Sequence, residues 1–234
     1  MSATQAGGAD APLGGNLLEL WGADPTPGEA DAFEQRALAR ARAADDRGDG
    51  RSTTVYRRDE DWSGAGTAPR FLTLQVRPAR ADGSRSDADA GVIEDDDPLL
   101  ADGQRSLGCY RLLETTHAGS WLEAAGLLYV RVDVAPAFLE PFLDWYVDEH
   151  VPAVLSAPGM LGARRLENTA LRADGTAPEG EHRFCTLYDM EAVDVVGRPE
   201  TLAASERGAC PASLAPHRQA HNAAYRRCEG TSGS

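Results

Sequence analysis

Trp145, Tyr146, Asp148, Glu149 and His150 fall within six residues, followed by Pro152, Pro158 and Gly159. No other stretch holds aromatic, acidic and imidazole groups so densely. Tyr146 and His150 are four residues apart, so on a helix they share a face. A histidine can act as general acid or base on a phenol or an enol, and a helix C-terminus favours its charged form. The same imidazole could instead cap the helix by bonding a nearby carbonyl. Phe142, Trp145 and Tyr146 could line an aromatic ligand pocket, or fill core at helical spacing. Asp148 and Glu149 read as a solvated helix end.

A second set of candidates is strand-borne. From Leu127 to Val134 the residues alternate, with Leu128, Val130, Val132 and Val134 on one face and Tyr129, Arg131 and Asp133 on the other. If the aliphatic face meets helices, Arg131 and Asp133 point inward, where a charge needs a partner. An Arg131–Asp133 pair, or a contact to Arg165 or Tyr188, satisfies that need structurally; a ligand carboxylate satisfies it functionally. Tyr188 and Tyr225 are placed on adjacent late strands, able to donate hydrogen bonds to a ligand oxygen. His217 and His221 have metal-like spacing, but no third ligand lies nearby and no metal is expected. His117, in a loop, and His182, at a strand start, join no constellation.

Composition narrows the function. The chain has 234 residues, enough for one large or two small domains, and 42% are hydrophobic, enough for a core. A net charge of −14 argues against nucleic acid and anionic membrane surfaces as partners. No apolar run approaches the roughly 20 residues that span a bilayer. Met1 to Leu13 carries neither a basic start nor an apolar stretch, so no signal peptide is expected and a cytoplasmic location is. Cys109, Cys185, Cys210 and Cys228 form no C-x-x-C pair and read as reduced thiols. All 23 basic residues are arginine. The absence of lysine removes Schiff-base chemistry, a pyridoxal-phosphate anchor and a P-loop lysine. With no G-x-S-x-G, H-E-x-x-H or G-x-G-x-x-G either, no cofactor is expected.

The elements that must position these groups fall into two similar sets. In the first half, strands are predicted at Leu17 to Trp21, Thr53 to Arg57, Phe71 to Arg77 and Leu107 to Leu113. A helix is predicted at Glu29 to Ala44, a mobile loop at Ala79 to Asp97 and a short helix at Pro98 to Asp102. In the second half, strands are predicted at Leu127 to Val134, Met160 to Glu167, Arg183 to Met190 and Ala220 to Cys228, with helices at Ala137 to His150 and Pro199 to Arg207. Because Pro152 disfavours helix at Val151, the first of these should end near His150. Both halves therefore read β-α-β-β-α-β. Leu17–Leu20 matches Leu127–Val130, Arg70–Leu74 matches Arg183–Leu187 and Cys109–Arg111 matches Ala224–Arg226, at offsets of 110, 113 and 115. Three matches in one order indicate internal duplication. The unit is the ferredoxin-like fold, which leaves one sheet face bare. Two units can bury those faces against each other, with helices outside.

The run Trp145-Tyr146-x-x-Glu149-His150-x-Pro152, with Pro158-Gly159, resembles the dimeric α+β barrel superfamily, and within it EthD-like proteins, over about residues 126 to 228. The first half matches in topology and third strand alone; Ala39 to Ala43, at its equivalent helix end, contains no histidine. The resemblance implies an α+β fold in which two ferredoxin-like repeats form an intramolecular dimeric α+β barrel. It implies a tail (1–13), a degenerate first repeat (14–116), a linker (117–125), an EthD-like second repeat (126–228) and a second tail (229–234). The superfamily includes polyketide cyclases, quinone-forming monooxygenases, isomerases, dehydratases and haem-binding enzymes.

Three readings follow. One is a cofactor-independent enzyme of secondary metabolism on an aromatic or polyketide-like small molecule, of cyclase, dehydratase, decarboxylase or isomerase type. His150 and Tyr146 would be catalytic there, and Trp145, Arg131, Asp133, Tyr188 and Tyr225 would bind ligand. The second is a cofactor-free or haem-dependent monooxygenase. The third is a non-catalytic binding or oligomerisation module. The expected assembly is a monomeric pseudo-dimer or a homodimer, with one pocket, in the half that holds His150.

Overall fold

The structure is a computed structural model that describes residues 16–46, 52–59, 68–78, 105–116, 124–179 and 181–229. The eight strands are β1 (Asn16–Ala23), β2 (Ser52–Arg58), β3 (Phe71–Pro78), β4 (Arg105–Thr115), β5 (Gly126–Val134), β6 (Met160–Asn168), β7 (Phe184–Met190) and β8 (Arg218–Arg227). Helix α1 (Ala30–Asp45) follows β1. After β5 come α2 (Leu139–Trp145), a π-helical turn (Tyr146–His150) and α3 (Val151–Leu155). Helix α4 (Pro199–Arg207) lies between β7 and β8.

The strands close into a barrel in the order β1-β3-β2-β8-β5-β7-β6-β4, every neighbour antiparallel. Each half contributes the ferredoxin-like order: β4-β1-β3-β2 from the first and β8-β5-β7-β6 from the second. The β2–β8 and β4–β6 seams join them, so one chain builds a whole dimeric α+β barrel. Alternation along each strand separates a core inside the barrel from an outward core under the helices of each half, the first-half one built on Phe33, Val55 and Phe71. Leu18, Leu20, Leu72, Leu74, Leu127, Tyr129, Leu166, Leu187 and Tyr225 fill the interior. Leu128, Val132, Phe184 and Tyr188 point outward, under Phe142, Trp145, Tyr146 and Val151. Strand β7 is buried along its whole length because both its faces are covered.

The pairing ties the two halves together residue by residue. Tyr110 and Tyr225 are both fully buried. Tyr110 donates to the carbonyls of Leu107 and His182, and Tyr225 to that of Pro69. His182 precedes β7 as Pro69 precedes β3, so the tyrosines bond equivalent points of opposite halves. Asp24 accepts from the Arg70 N–H at 2.7 Å and Asp133 from the Arg183 N–H at 2.8 Å, again equivalent. Phe33 and Phe142 are buried at equivalent helix positions.

One match shifts. Leu18 pairs with Tyr110 and Leu127 with Tyr225, so Leu18 corresponds to Leu127 at an offset of 109 rather than 110. The sequence match was one residue out, and a one-residue slip swaps the two faces of a strand. The predicted end of the helix at His150 is also corrected: helix continues to Leu155. The 1–13 tail, the 79–97 loop, the 98–102 helix, His117, most of the 117–125 linker and residues 230–234 lie outside the described residues. Among the described residues, no helix is long and apolar enough to cross a membrane.

Candidate functional site

The helix continues past Pro152 because its hydrogen bonding changes just before it. The Val151 N–H bonds the Tyr146 carbonyl, five residues back instead of four. Proline has no N–H to give, and in a regular helix its ring would crowd the carbonyl four residues back. The wider turn relieves that clash. It also places Trp145, Tyr146 and His150 together over the second-half sheet, and such turns recur at functional sites. The His150 ring lies 4.9 Å from Tyr146 and 5.1 Å from Trp145, centroid to centroid.

His150 does what the capping alternative described, across a longer distance in sequence. Its Nδ1–H donates to the Gly208 carbonyl at 2.7 Å, just beyond α4. A carbonyl only accepts, so the proton is on Nδ1 and Nε2 keeps a lone pair. Burial lowers the imidazole pKa; the Gly208 bond raises it and the Arg218 guanidinium lowers it, for a net value below the usual 6.5. His150 is therefore neutral at pH 7. Gly208 permits this approach: a Cβ there would meet the Ala153 Cβ at 2.9 Å and the His150 Cα at 3.1 Å.

Tyr146 points the other way, onto the sheet. Its hydroxyl donates to Thr186 Oγ1 at 3.0 Å and lies 3.1 Å from the Tyr188 hydroxyl. Burial raises the pKa of both phenols, outweighing the Thr186 and Tyr188 bonds at Tyr146, so both stay protonated. A shallow pocket lies beside this hydroxyl chain; it measures about 250 Å³ with its open mouth included, and its enclosed part has room for about one water. Val132, Phe142, Leu143, Leu166 and Phe184 make it apolar; Tyr146, Thr186 and Arg165 give it polar points. Arg165 also bonds Glu114 at 2.8 Å.

Of the predicted residues, Tyr146 lines this pocket and Tyr188 touches it through Tyr146. His150 stands behind Tyr146 and is not part of the lining. Trp145 packs between His150 and the Arg218 guanidinium, 5.9 Å from its ring, and also stays out of the pocket. Arg131, Asp133 and Tyr225 belong to the barrel interior and its mouth. The expected Arg131–Asp133 pair does not form, nor does a contact to Arg165 or Tyr188: Asp133 bonds His182 Nδ1 at 2.6 Å. Tyr188 and Tyr225 are not on adjacent strands, since β5 runs between β7 and β8, and they face opposite sides. Arg165 and Thr186 were missed as pocket residues. The outward face of β7 carries Phe184, Thr186 and Tyr188, and that alternation was the available signal. His217 stacks on Phe138 at 3.5 Å, and no group of three potential metal ligands occurs among the described residues.

A haem does not fit this pocket. Its enclosed part has room for about one water, whereas drug-sized ligands occupy about 300–1,000 Å³ and haem is no smaller. His150, behind the pocket wall, is bound to Gly208 and packed against Tyr146.

No family model matches the sequence, and no curated protein does. Solved structures do share the fold. A candidate monooxygenase of Fusobacterium nucleatum is 7% identical, with 92% of this chain and 93% of that one covered and a TM-score of 0.55. A candidate monooxygenase of Lactobacillus acidophilus is 12% identical, with 90% and 94% covered and a TM-score of 0.52. An anthrone oxidase-like protein is 12% identical, with 92% and 91% covered and a TM-score of 0.50. At such identities the likeness extends to the fold alone.

Proposed function

We propose that this chain binds a small phenol or enol between α2 and β7 and stabilises the oxyanion formed when that molecule loses a proton. The observation that carries this reading is the protonated Tyr146 hydroxyl at the wall of an apolar pocket: its one proton, given to Thr186 Oγ1 when no ligand is bound, can turn to a ligand oxygen while the Tyr188 hydroxyl donates to Tyr146. A neutral phenol donor on an apolar wall favours a developing oxyanion. Arg165, ion-paired with Glu114, stands at the same wall with N–H groups to offer a ligand oxygen. An enolate or phenolate is the common intermediate of cyclase, dehydratase, decarboxylase and isomerase chemistry. It is also what reacts with oxygen in a cofactor-free monooxygenase, where a methylene group and one dioxygen give a carbonyl group and one water. The resemblance to EthD-like proteins supports the same range, and the monooxygenase and anthrone oxidase names among the fold neighbours are consistent with it.

Volume selects the substrate. The enclosed part of the pocket has room for about one water, so a ligand oxygen would reach Tyr146 while its ring lies in the open mouth, which favours a small, one-ring molecule. His150 acts through Tyr146 as a positioning residue, holding the π-helical turn by its bond to Gly208. A second reading, a non-catalytic binder, is favoured by the small volume and by the lack of a carboxylate or imidazole among the pocket-lining residues.

p-Nitrophenol tests both readings. Bound to the protein near pH 6, its yellow phenolate band should grow, and Tyr146→Phe and Arg165→Leu should weaken that growth. Binding without any gain in phenolate sinks the oxyanion role. Enolisable one-ring ketones in deuterium oxide then separate the readings: exchange of the α-hydrogen, followed by NMR, marks an enzyme, and binding without exchange marks a carrier.

A further inference from the structure

Arg131 is 6% exposed on the inner face of β5. Its guanidinium lies over the Tyr129 ring, 5.3 Å from the centroid, and its Nε is sealed from solvent without a hydrogen-bond partner. Among the described residues it makes no ion pair. A ring face offsets part of a buried cation's desolvation, not all of it. The nearest candidate counter-charge is committed elsewhere: Asp133 takes the His182 Nδ1–H at 2.6 Å and the Arg183 N–H at 2.8 Å.

The surroundings of Arg131 are short of negative charge and hold unused hydrogen-bonding groups. In register, Arg131 is flanked by Cys185 on β7 and His221 on β8. One layer deeper, Tyr129 is fully buried and its hydroxyl has no partner. The His221 ring lies 5.5 Å from His182 at the rim. Burial lowers the His221 pKa, and the charges of Arg131 and His182 lower it further.

The equivalent point of the first half shows that the fold does not require this arginine. Four antiparallel steps separate β1 from β5, so the two strands run the same way and their ends share one mouth. There Gly22 holds the position of Arg131, and Pro69 that of His182. A Cβ on Gly22 would meet the Pro69 Cγ at 2.7 Å, so that side of the mouth is closed by apolar contact. One side of the mouth is packed with aliphatic atoms, while the other keeps a buried cation.

We infer that the barrel mouth beside Arg131 binds a small monocarboxylate, with its two oxygens on the guanidinium and His221 at the rim. A guanidinium edge matches a carboxylate in a bidentate pair. One uncompensated cation neutralises one negative charge, and the Asp133 carboxylate at the rim opposes a dianion such as phosphate. This site lies on the inner face of the sheet. The Tyr146 pocket lies on the outer face, so the two stand or fall separately.

Titration of 15N-labelled protein with acetate at constant ionic strength tests the inference. The Arg131 Nε–H resonance, identified by its loss in Arg131→Met, should shift saturably, and acetate should raise the melting temperature of the native protein. Arg131→Met should melt above the native protein in acetate-free buffer and ignore acetate. Inorganic phosphate at the same concentration should do less than acetate. A stronger response to phosphate overturns the carboxylate assignment. A native protein whose melt and arginine resonances ignore both anions overturns the site, whether or not the variant folds.

Discussion

The two halves share a frame and differ in what they place over it. Phe33 and Phe142 anchor the two helices on the sheet, and both are buried. Beyond them the halves diverge: Ala37 stands where the second half has Tyr146, and Ala41 where it has His150. On the sheet beneath, Thr73 corresponds to Thr186 and Gln75 to Tyr188. Ala37 and Ala41 are buried in one cluster with Phe33 and Phe71, whereas in the second half Tyr146 lines the pocket and His150 stands behind it. What both halves keep is what closes the barrel: the tyrosine bonds to the opposite half and the aspartate that ties β1 or β5 to the start of the next inner strand. The groups capable of chemistry differ, and they do so on one helix face and at one barrel mouth.

Exchanging these residues tests the comparison most severely. Tyr146→Ala gives the second half its first-half counterpart. Loss of a buried aromatic should cost about 3–5 kcal/mol in urea unfolding, along with any p-nitrophenol response. The reciprocal Ala37→Tyr should cost about 1–3 kcal/mol through overpacking. If it costs nothing, the first half holds hidden space and the asymmetry is weaker than stated.

Gly208→Ala comes next. Its methyl would push α4 from the π-helical turn, costing about 1–3 kcal/mol and drawing the Gly208 carbonyl away from His150. Urea unfolding gives the first effect, and the His150 side-chain NMR resonance gives the second.

The second-half aspartate offers a smaller test. Asp133→Ala should cost about 2 kcal/mol, because it loses the Arg183 backbone bond and releases His182. A thermal melt of His182→Ala equal to that of the native protein would mean that the His182 bond adds nothing. Burial alone would raise the Asp133 pKa, but the His182 and Arg183 bonds, with the His182 and His221 charges, bring it below its ordinary value.

The smallest effect is in pH. The folded pKa of His150 lies below its ordinary 6.5, so between the two the unfolded chain binds more protons. The His150 contribution to stability is thus complete above pH 6.5 and is lost as pH falls through the folded value. His150→Asn should flatten the melting temperature over that window. The first half, with Ala41 at this position, adds nothing there.

Much of the frame was legible in the sequence because alternation and duplication are local patterns. Leu128, Val130 and Val132 against Tyr129 and Arg131 defined the faces of β5 correctly, and the Tyr110–Tyr225 match proved to be a pair of equivalent bonds. The misses came from geometry without a local signature. Pro152 predicts a helix end, yet a π-helical turn, with the Val151 N–H bonded to the Tyr146 carbonyl, carries the helix past it. Arg131 and Asp133, two apart on one strand face, look like natural partners. The chain instead brings His182 to Asp133 from 49 residues away. Tyr188 and Tyr225 look like neighbours because their strands are consecutive, but the ferredoxin-like order puts β5 between them. Arg165 was weighed as a barrel-interior partner, whereas it faces outward beside Tyr146.

The β2–β8 seam is short. Its register runs from Tyr56↔Arg227 to Arg58↔Tyr225, with flanking bonds from Cys228 to Val55 and from Asp59 to Ala224. The β4–β6 seam runs from Tyr110↔Asn168 to Thr115↔Arg164. A closed sheet has no edges to offer another chain, but a ring opens at its weakest join. Parting of β2 from β8 would bare two complementary edges on one molecule. In concentrated solution β8 of one copy could then zip onto β2 of another, and the bonds that close the monomer would hold together a strand-exchanged dimer.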